Sequence, residues 1–138
     1  MRLAALGLVL ATAAFAEEAK VTVKADVVHA QLKAGLVEAG LTEMQTALAQ
    51  GKQGKRYGAL KRLSTQKLTL QLKALTLPLP NGKSADLSLL SLEHDVSTVK
   101  VKLAPGESTL KLGREGSLYQ HAGEWQGGDL WLVLSQPK

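Results

Sequence analysis

Histidines and neighbouring carboxylates are the residues whose chemistry most often supports catalysis or metal binding. The chain has three histidines, His29, His94 and His121, and no cysteine. No two histidines have the i, i+2 or i, i+4 spacing that lets one element supply two metal ligands. The run Glu93–Asp95 combines acid and base groups, but neighbouring side chains in a strand point to opposite faces and no nucleophile signature lies nearby. We therefore predict no metal, no cofactor and no enzymatic activity.

A basic stretch suggests a different chemistry, the binding of anions. Residues 44–85 contain no Asp or Glu but eight Lys and Arg, and a glycine-rich loop over residues 51–58 lies at the centre of this stretch. A nucleotide-binding P-loop aligned here would need Gly at Ala49 and Ser or Thr at Arg56, which argues against nucleotide hydrolysis. Flexible basic residues still suit phosphate or sulfate groups, and the alternative is a solvated, mobile loop. The predicted anion-binding residues are Lys52, Lys55, Arg56, Lys61, Arg62, Lys67 and Lys73.

Aromatic residues are too few and too scattered to favour nucleic acid as the partner. Proteins that bind single strands stack the bases on aromatic side chains. Only Tyr57 lies in the basic stretch, whereas Tyr119, Trp125 and Trp131 lie near the carboxyl end. Trp125 is either an exposed contact for carbohydrate or a membrane interface, or a side chain that caps the core, and we favour the core.

The first 16 residues are typical of a secretory leader. Arg2 precedes an apolar run, and Ala14-Phe15-Ala16 supplies the small residues of a cleavage site, so we expect cleavage before Glu17. The apolar run is too short to span a bilayer, which needs about 20 residues. Cleavage leaves 16 basic and 12 acidic residues, a net charge of about +4. We predict a periplasmic or extracellular protein with one domain over residues 17–138 and, at most, peripheral contact with a membrane.

The elements that would position the basic stretch are mostly strands. Residues 20–27 alternate between apolar and polar residues, and the apolar positions then change parity from Val27 to Val28. A β-bulge there would keep the apolar side chains inside. Gly35 and Gly40 bracket a short segment that would complete a hairpin with this strand.

One short helix and several further strands follow. Thr42 with Gln45 resembles a capping box, and residues 41–50 before Gly51 favour a helix over a strand. The alternation over residues 67–73 predicts a basic strand. Pro78 indicates that the chain there lies at a sheet edge or has left the sheet. Six to eight strands with turns every 8–15 residues indicate a mainly β fold: an antiparallel sandwich, a jelly roll or a partly open barrel.

The segment Val21-Thr22-Val23-Lys24-Ala25-Asp26, followed by Gly35 and by Ala39-Gly40-Leu41, resembles the opening of periplasmic lipopolysaccharide-transport proteins of the OstA type. This resemblance implies an open β-jelly roll that carries a lipid, with its acyl chains inside and its anionic head near basic residues. The expected helix and the long basic loop depart from that family's pattern. A carrier of this kind would have an apolar groove lined by Leu68, Leu70, Leu72 and Leu132.

Together these features predict a non-enzymatic exported binding protein. Its basic loop and strand would contact an anionic partner of the cell envelope, either a lipid head group or an acidic glycan. Two alternatives stay open: the OstA-like lipid carrier, and a structural or assembly subunit that forms oligomers through the edge strand near Pro78.

Overall fold

The computed structural model describes residues 20–51, 54–103 and 106–136, so the predicted leader and Lys52 lie outside the described residues. The elements, in chain order, are β1 (Val21–Gln31), α1 (Thr42–Gln50), β2 (Ala59–Leu70), β3 (Leu75–Pro78), β4 (Ser84–Glu93), β5 (Val96–Leu103), β6 (Gly106–Leu112), β7 (Ser117–Trp125) and β8 (Gly128–Ser135). The predicted mainly β fold with one short helix is confirmed.

The strands form two four-stranded antiparallel sheets that pack as a sandwich. Sheet A has the order β2-β1-β8-β7, and sheet B has the order β3-β4-β5-β6. Apolar residues from both sheets fill the space between them: Val23, Ala25, Leu70, Leu77, Ala85, Leu87, Leu89, Val99, Val101, Leu112, Leu132 and Leu134. Each large aliphatic side chain buried in this way stabilises the fold by about 1.5–3 kcal/mol.

A second apolar cluster lies on the outer face of sheet A, beneath α1. It consists of Val28, Ala30, Leu41, Met44, Leu48, Tyr57, Leu60, Trp131 and Val133. The helix contributes Leu41, Met44 and Leu48, which share one helical face as the sequence predicts. The part of sheet A under α1 is therefore buried on both faces, which explains why β8 is apolar at successive positions.

The predicted β-bulge is present, but its role differs from the prediction. Val27 pairs with Ser64 and Val28 with Arg62, so the extra residue is Leu63 of β2. The pairing of β1 with β8 continues without a shift. Val28 therefore faces the outer side of sheet A and is buried there by the α1 layer, rather than being turned back into the sandwich.

The helix begins without the predicted capping box. Leu41 is the N-cap residue, and no side chain caps the helix. The Thr42 carbonyl accepts a hydrogen bond from the Thr46 hydroxyl, while the Gln45 amide donates to the Tyr57 carbonyl at 2.7 Å. Gln45 thus ties α1 to the segment before β2 instead of closing the first helical turn. The helix stops at Gly51, as predicted.

The basic strand has different bounds from those predicted. β2 begins at Ala59 and ends at Leu70, and the chain then crosses to the other sheet. The Gln71 carbonyl accepts a hydrogen bond from the Leu89 amide at 2.8 Å, which anchors the crossing. Leu72 lies in this link and is 64% exposed, although its alternation with Leu70 continues the strand pattern.

Strand β3 is the edge strand that Pro78 predicts. It has four residues and ends at Pro78, and among the described strands it pairs with β4 alone. Within residues 20–51, 54–103 and 106–136, no helix is long and apolar enough to cross a bilayer.

Candidate functional site

The predicted anion-binding residues do not form one cluster. Lys61 and Lys67 both lie on β2 but six positions apart, about 20 Å along a strand. Lys73 is exposed in the link to sheet B, and Arg56 is exposed beside α1. These positions make a dispersed basic surface rather than a single binding pocket.

Two of the predicted residues are held in ion pairs with buried carboxylates. The Arg62 Nε atom lies 3.2 Å from Asp26 Oδ2, and the Lys55 ammonium lies 3.4 Å from Asp129 Oδ2. Asp26 is 5% exposed and Asp129 is 9% exposed. A buried carboxylate needs such partners, because burying an unpaired charge is strongly unfavourable. Lys55 and Arg62 therefore stabilise the fold.

The Asp129 cluster, which we define as Lys55, Tyr57, His121, Asp129 and Trp131, lies on the outer face of sheet A. The Tyr57 hydroxyl donates to Asp129 Oδ2 at 2.6 Å and accepts from the Trp131 indole N–H at 3.2 Å. His121 Nε2 lies 3.2 Å from Asp129 Oδ1. The cluster joins the segment before β2 to strands β7 and β8.

The same contacts shift two pKa values in opposite directions. Burial, together with the hydrogen bond to Asp129, raises the pKa of Tyr57 to about 12. Burial alone would raise the pKa of Asp129, but hydrogen bonds from Tyr57 and His121 and the charge of Lys55 outweigh it, so this pKa lies below its ordinary value. Near neutral pH the shared proton therefore stays on Tyr57. The cluster thus acts as a clamp that holds the segment of Lys55 and Tyr57 on sheet A.

Sequence reasoning did not identify this cluster. The sequence feature that could have revealed the cluster is Asp129, an acidic residue directly before the apolar run of β8. A carboxylate at the start of a buried strand needs hydrogen-bonding or charged partners. The partners could not be read from the sequence, because Lys55 and Tyr57 lie 74 and 72 positions away.

A cavity of about 430 Å³ lies between the loop of residues 32–36 and the start of β2. We call it the Lys33–Lys61 cavity, after the two exposed lysines that line it. Its lining residues are His29, Gln31, Lys33, Ala34, Gly35, Leu36, Glu38, Ala59, Leu60 and Lys61. Lys61 belongs to the predicted set, whereas Lys33, between Leu32 and Ala34, was missed.

Hydrogen bonds hold two of the side chains that line this cavity, His29 and Glu38. His29 Nε2 lies 3.0 Å from the Trp125 carbonyl oxygen. The His29 imidazole and the Trp125 indole ring also pack edge to face. Trp125 packs partly buried against the apolar core, as predicted. Glu38, the acidic residue of the lining, accepts a hydrogen bond from the Arg62 backbone amide. Lys33 and Lys61 have no ion-pair partner among the described residues.

A second cavity, of about 710 Å³, adjoins the loop at Leu32 and Lys33. Leu32, Lys55, Tyr57, Trp125 and Asp129 are among its lining residues. It shares Gln31 and Lys33 with the Lys33–Lys61 cavity, so the loop of residues 32–36 borders both cavities.

The four leucines of the predicted apolar groove do not line a common groove. Leu70 and Leu132 are fully buried between the sheets, and Leu68 packs against the same core. Leu72 is exposed in the link between β2 and β3. In this structure the space expected for acyl chains is filled by the side chains of the sandwich core.

No protein-family model matches the chain, and searches of curated proteins and of solved structures found no match either. The resemblance to OstA-type transport proteins therefore stays a prediction.

Proposed function

We propose that this protein is a non-enzymatic binding domain that contacts an anionic partner of the cell envelope through the Lys33–Lys61 cavity. The observation that carries the proposal is the placement of two exposed lysines, from positions 28 apart in the sequence, on the wall of one cavity. The predicted leader supports an envelope location.

The cavity has the size and chemistry that a charged head group requires. Its volume of about 430 Å³ lies within the range of about 300–1,000 Å³ that is usual for small-molecule sites. Two ammonium groups supply positive charge for a phosphate or carboxylate, while Ala34, Leu36 and Ala59 offer apolar contact to carbon atoms. The other exposed basic residues, Arg56 and Lys67 among them, would raise the local concentration of anions over a longer range.

The proposal assigns Lys55 a different role from the one the sequence suggests. Lys55 neutralises Asp129 and is not a ligand contact. Lys33, which lines the cavity, replaces Lys55 among the residues proposed to contact the ligand. The Asp129 cluster supports the site indirectly, because it fixes the segment that leads into Gly58 and Ala59.

The test is a calorimetric titration with dihexanoyl phosphatidylglycerol, an anionic lipid that stays dissolved as monomers. The full-length chain is expressed and the soluble product is purified. We expect saturable binding that weakens with salt, and a loss of at least tenfold in affinity in the variant Lys33→Gln/Lys61→Gln. The matched control is Lys102→Gln/Lys111→Gln, which removes the same charge from exposed positions on sheet B.

Equal loss in the two variants would mean that only net charge matters, and the proposed cavity site would be wrong. Dihexanoyl phosphatidylcholine, which carries the same chains but no net charge, should bind more weakly than the anionic lipid. An acidic oligosaccharide that displaces the lipid would assign the cavity to a glycan.

A further inference from the structure

We propose that the loop of residues 32–36 seats the protein on an anionic membrane surface, with Leu32 and Leu36 entering the lipid and Lys33 and Lys61 meeting the phosphates. This inference rests on the proposed function and narrows its partner to a lipid surface. Three observations support it: the exposure of the leucines, the anchoring of the loop backbone, and the placement of the lysines.

The loop exposes two leucines to solvent. Leu32 is 62% exposed, and Leu36, at 82%, is the most exposed large apolar side chain in the described part of the chain. Both leucines lie within one five-residue segment, so their apolar surfaces are presented at the same end of sheet A. Single exposed apolar residues are ordinary on protein surfaces, but two on one loop beside basic groups form an amphipathic surface.

The backbone of this loop is anchored. The Gly35 amide donates to the Gly58 carbonyl at 3.1 Å, and the Gly58 amide donates to the Gln31 carbonyl at 2.8 Å. The Leu60 amide donates to the Leu36 carbonyl at 3.1 Å, and Val37 forms a parallel bridge with Leu60. The predicted hairpin of this segment with β1 is therefore wrong, because the segment pairs with β2.

Close packing at Gly58 fixes the loop further. A Cβ atom at Gly58 would lie 2.7 Å from the Lys33 carbonyl oxygen and 2.8 Å from Ala34 Cα. Only glycine allows the two backbone segments to come this close. The leucines are therefore held in their exposed positions and cannot turn back into the sandwich without breaking these contacts.

Two lysines lie beside the leucines. Lys33 lies between them in the sequence and lines both cavities, and Lys61 lines the cavity that Leu36 also lines. The acidic residue of that lining, Glu38, already accepts a hydrogen bond from the Arg62 backbone amide. Apolar groups flanked by lysines match an anionic bilayer, where the acyl boundary lies just below the phosphates. An acidic glycan would satisfy the lysines but would leave both leucines in water, so we favour the membrane.

The expected effects follow from this geometry. Transfer of one leucine side chain from water into lipid strengthens binding by about tenfold, so Leu32→Ser/Leu36→Ser should lose about 100-fold of the affinity for anionic vesicles. Each lysine near an anionic surface adds about fivefold, so Lys33→Gln/Lys61→Gln should lose about 25-fold.

The test measures sedimentation with vesicles of phosphatidylglycerol and phosphatidylcholine in equal parts. The matched control for the leucine variant is Leu72→Ser/Leu92→Ser. Leu72 is 64% exposed and Leu92 is 44% exposed, and Leu72 follows the opposite end of β2. The control should bind the vesicles as the wild type does.

A fluorescent reporter tests insertion directly, because the chain has no cysteine. Ala34→Cys on the loop and Ala74→Cys in the link after β2 each give one labelling site at an exposed alanine. An environment-sensitive dye at position 34 should shift to shorter wavelength on anionic vesicles, while the same dye at position 74 should not. An equal response at both sites, or none at position 34, would overturn the proposed orientation.

The single variant Leu32→Ser separates this inference from the proposed function, because Leu32 is not among the lining residues of the Lys33–Lys61 cavity. If Leu32→Ser retains affinity for dihexanoyl phosphatidylglycerol but binds anionic vesicles about tenfold more weakly, both proposals stand. If it binds vesicles as the wild type does, Leu32 does not enter lipid and this inference fails. If the wild type binds neither the lipid monomer nor the vesicles, the proposed function fails as well. Self-association that this variant abolishes would instead assign the leucines to a contact between copies.

Discussion

Replacement of Tyr57 by Phe tests whether the Asp129 cluster holds the segment before β2. The Tyr57 side chain is fully buried, and its hydroxyl makes a hydrogen bond of 2.6 Å to a carboxylate and accepts one of 3.2 Å from Trp131. A hydrogen bond to a charged group contributes about 1.5–3 kcal/mol, and a buried donor without an acceptor costs about 1 kcal/mol or more. We therefore expect Tyr57→Phe to lower the free energy of unfolding by about 2–4 kcal/mol.

Urea unfolding followed by tryptophan fluorescence measures this change. Trp131 donates to the Tyr57 hydroxyl and therefore reports on the cluster itself. The control is Tyr119→Phe, which removes a hydroxyl from a half-buried tyrosine on β7 and should change stability by less than about 1 kcal/mol. A similar, small change in both variants would refute the clamp, since the Tyr57 hydroxyl would then contribute nothing beyond an ordinary surface group.

Two further predictions concern the same end of the molecule. The folded pKa of Asp129 lies below its ordinary value of 3.8, so its stabilising contribution is present above about pH 4 and is lost as the pH falls further. Urea unfolding at a series of acid pH values should therefore show the difference in unfolding free energy between wild type and Asp129→Asn shrinking as the pH falls. A difference that stays constant with pH would contradict this role of Asp129. Gly58→Ala should displace the backbone of Lys33 and Ala34, lower the free energy of unfolding by about 1–3 kcal/mol, and weaken lipid binding in calorimetry. The control is Gly113→Ala, where an added Cβ meets no atom within 4 Å, and it should change neither the stability nor the lipid binding.

The elements of the fold were predictable because their signals are local. Alternation identified most of the strands, an apolar run identified β8, and Gly51 identified the end of the helix. The change of parity at Val27 coincided with a bulge, but its cause is the burial of Val28 under α1. The layer that covers each face was not predictable in this way. Val28 and Trp131 are apolar positions on the outer face of sheet A, and only the packing of α1 and Tyr57 makes that face a second core.

The candidate site was less predictable, because its charges are paired over long distances. Lys55 and Arg62 look like free cations in an acid-free stretch, yet their partners are Asp129 and Asp26, 74 and 36 positions away. Leu72 continues a strand pattern but lies after the chain has left sheet A. A period of two shows where a strand can exist but not where tertiary contacts end it.

Lys33 is the opposite case, a residue that looks unimportant in the sequence but lines the candidate site. It lies outside the basic stretch and looks like a single charge between apolar residues. It lines the same cavity as Lys61 because the loop of residues 32–36 folds back onto Gly58. The available signal was the pair Leu32 and Leu36, two large apolar residues close to Lys33 in a segment that follows the alternating strand.

The most direct test of the account is an NMR titration of the labelled protein with dihexanoyl phosphatidylglycerol. The central claim is that the anion binds in the Lys33–Lys61 cavity, so the largest amide shifts should fall on Gly35, Gly58 and Leu60, whose backbone forms or borders its wall. Shifts concentrated around Lys100 and Lys102 on β5, or no saturable shifts at all, would contradict the account.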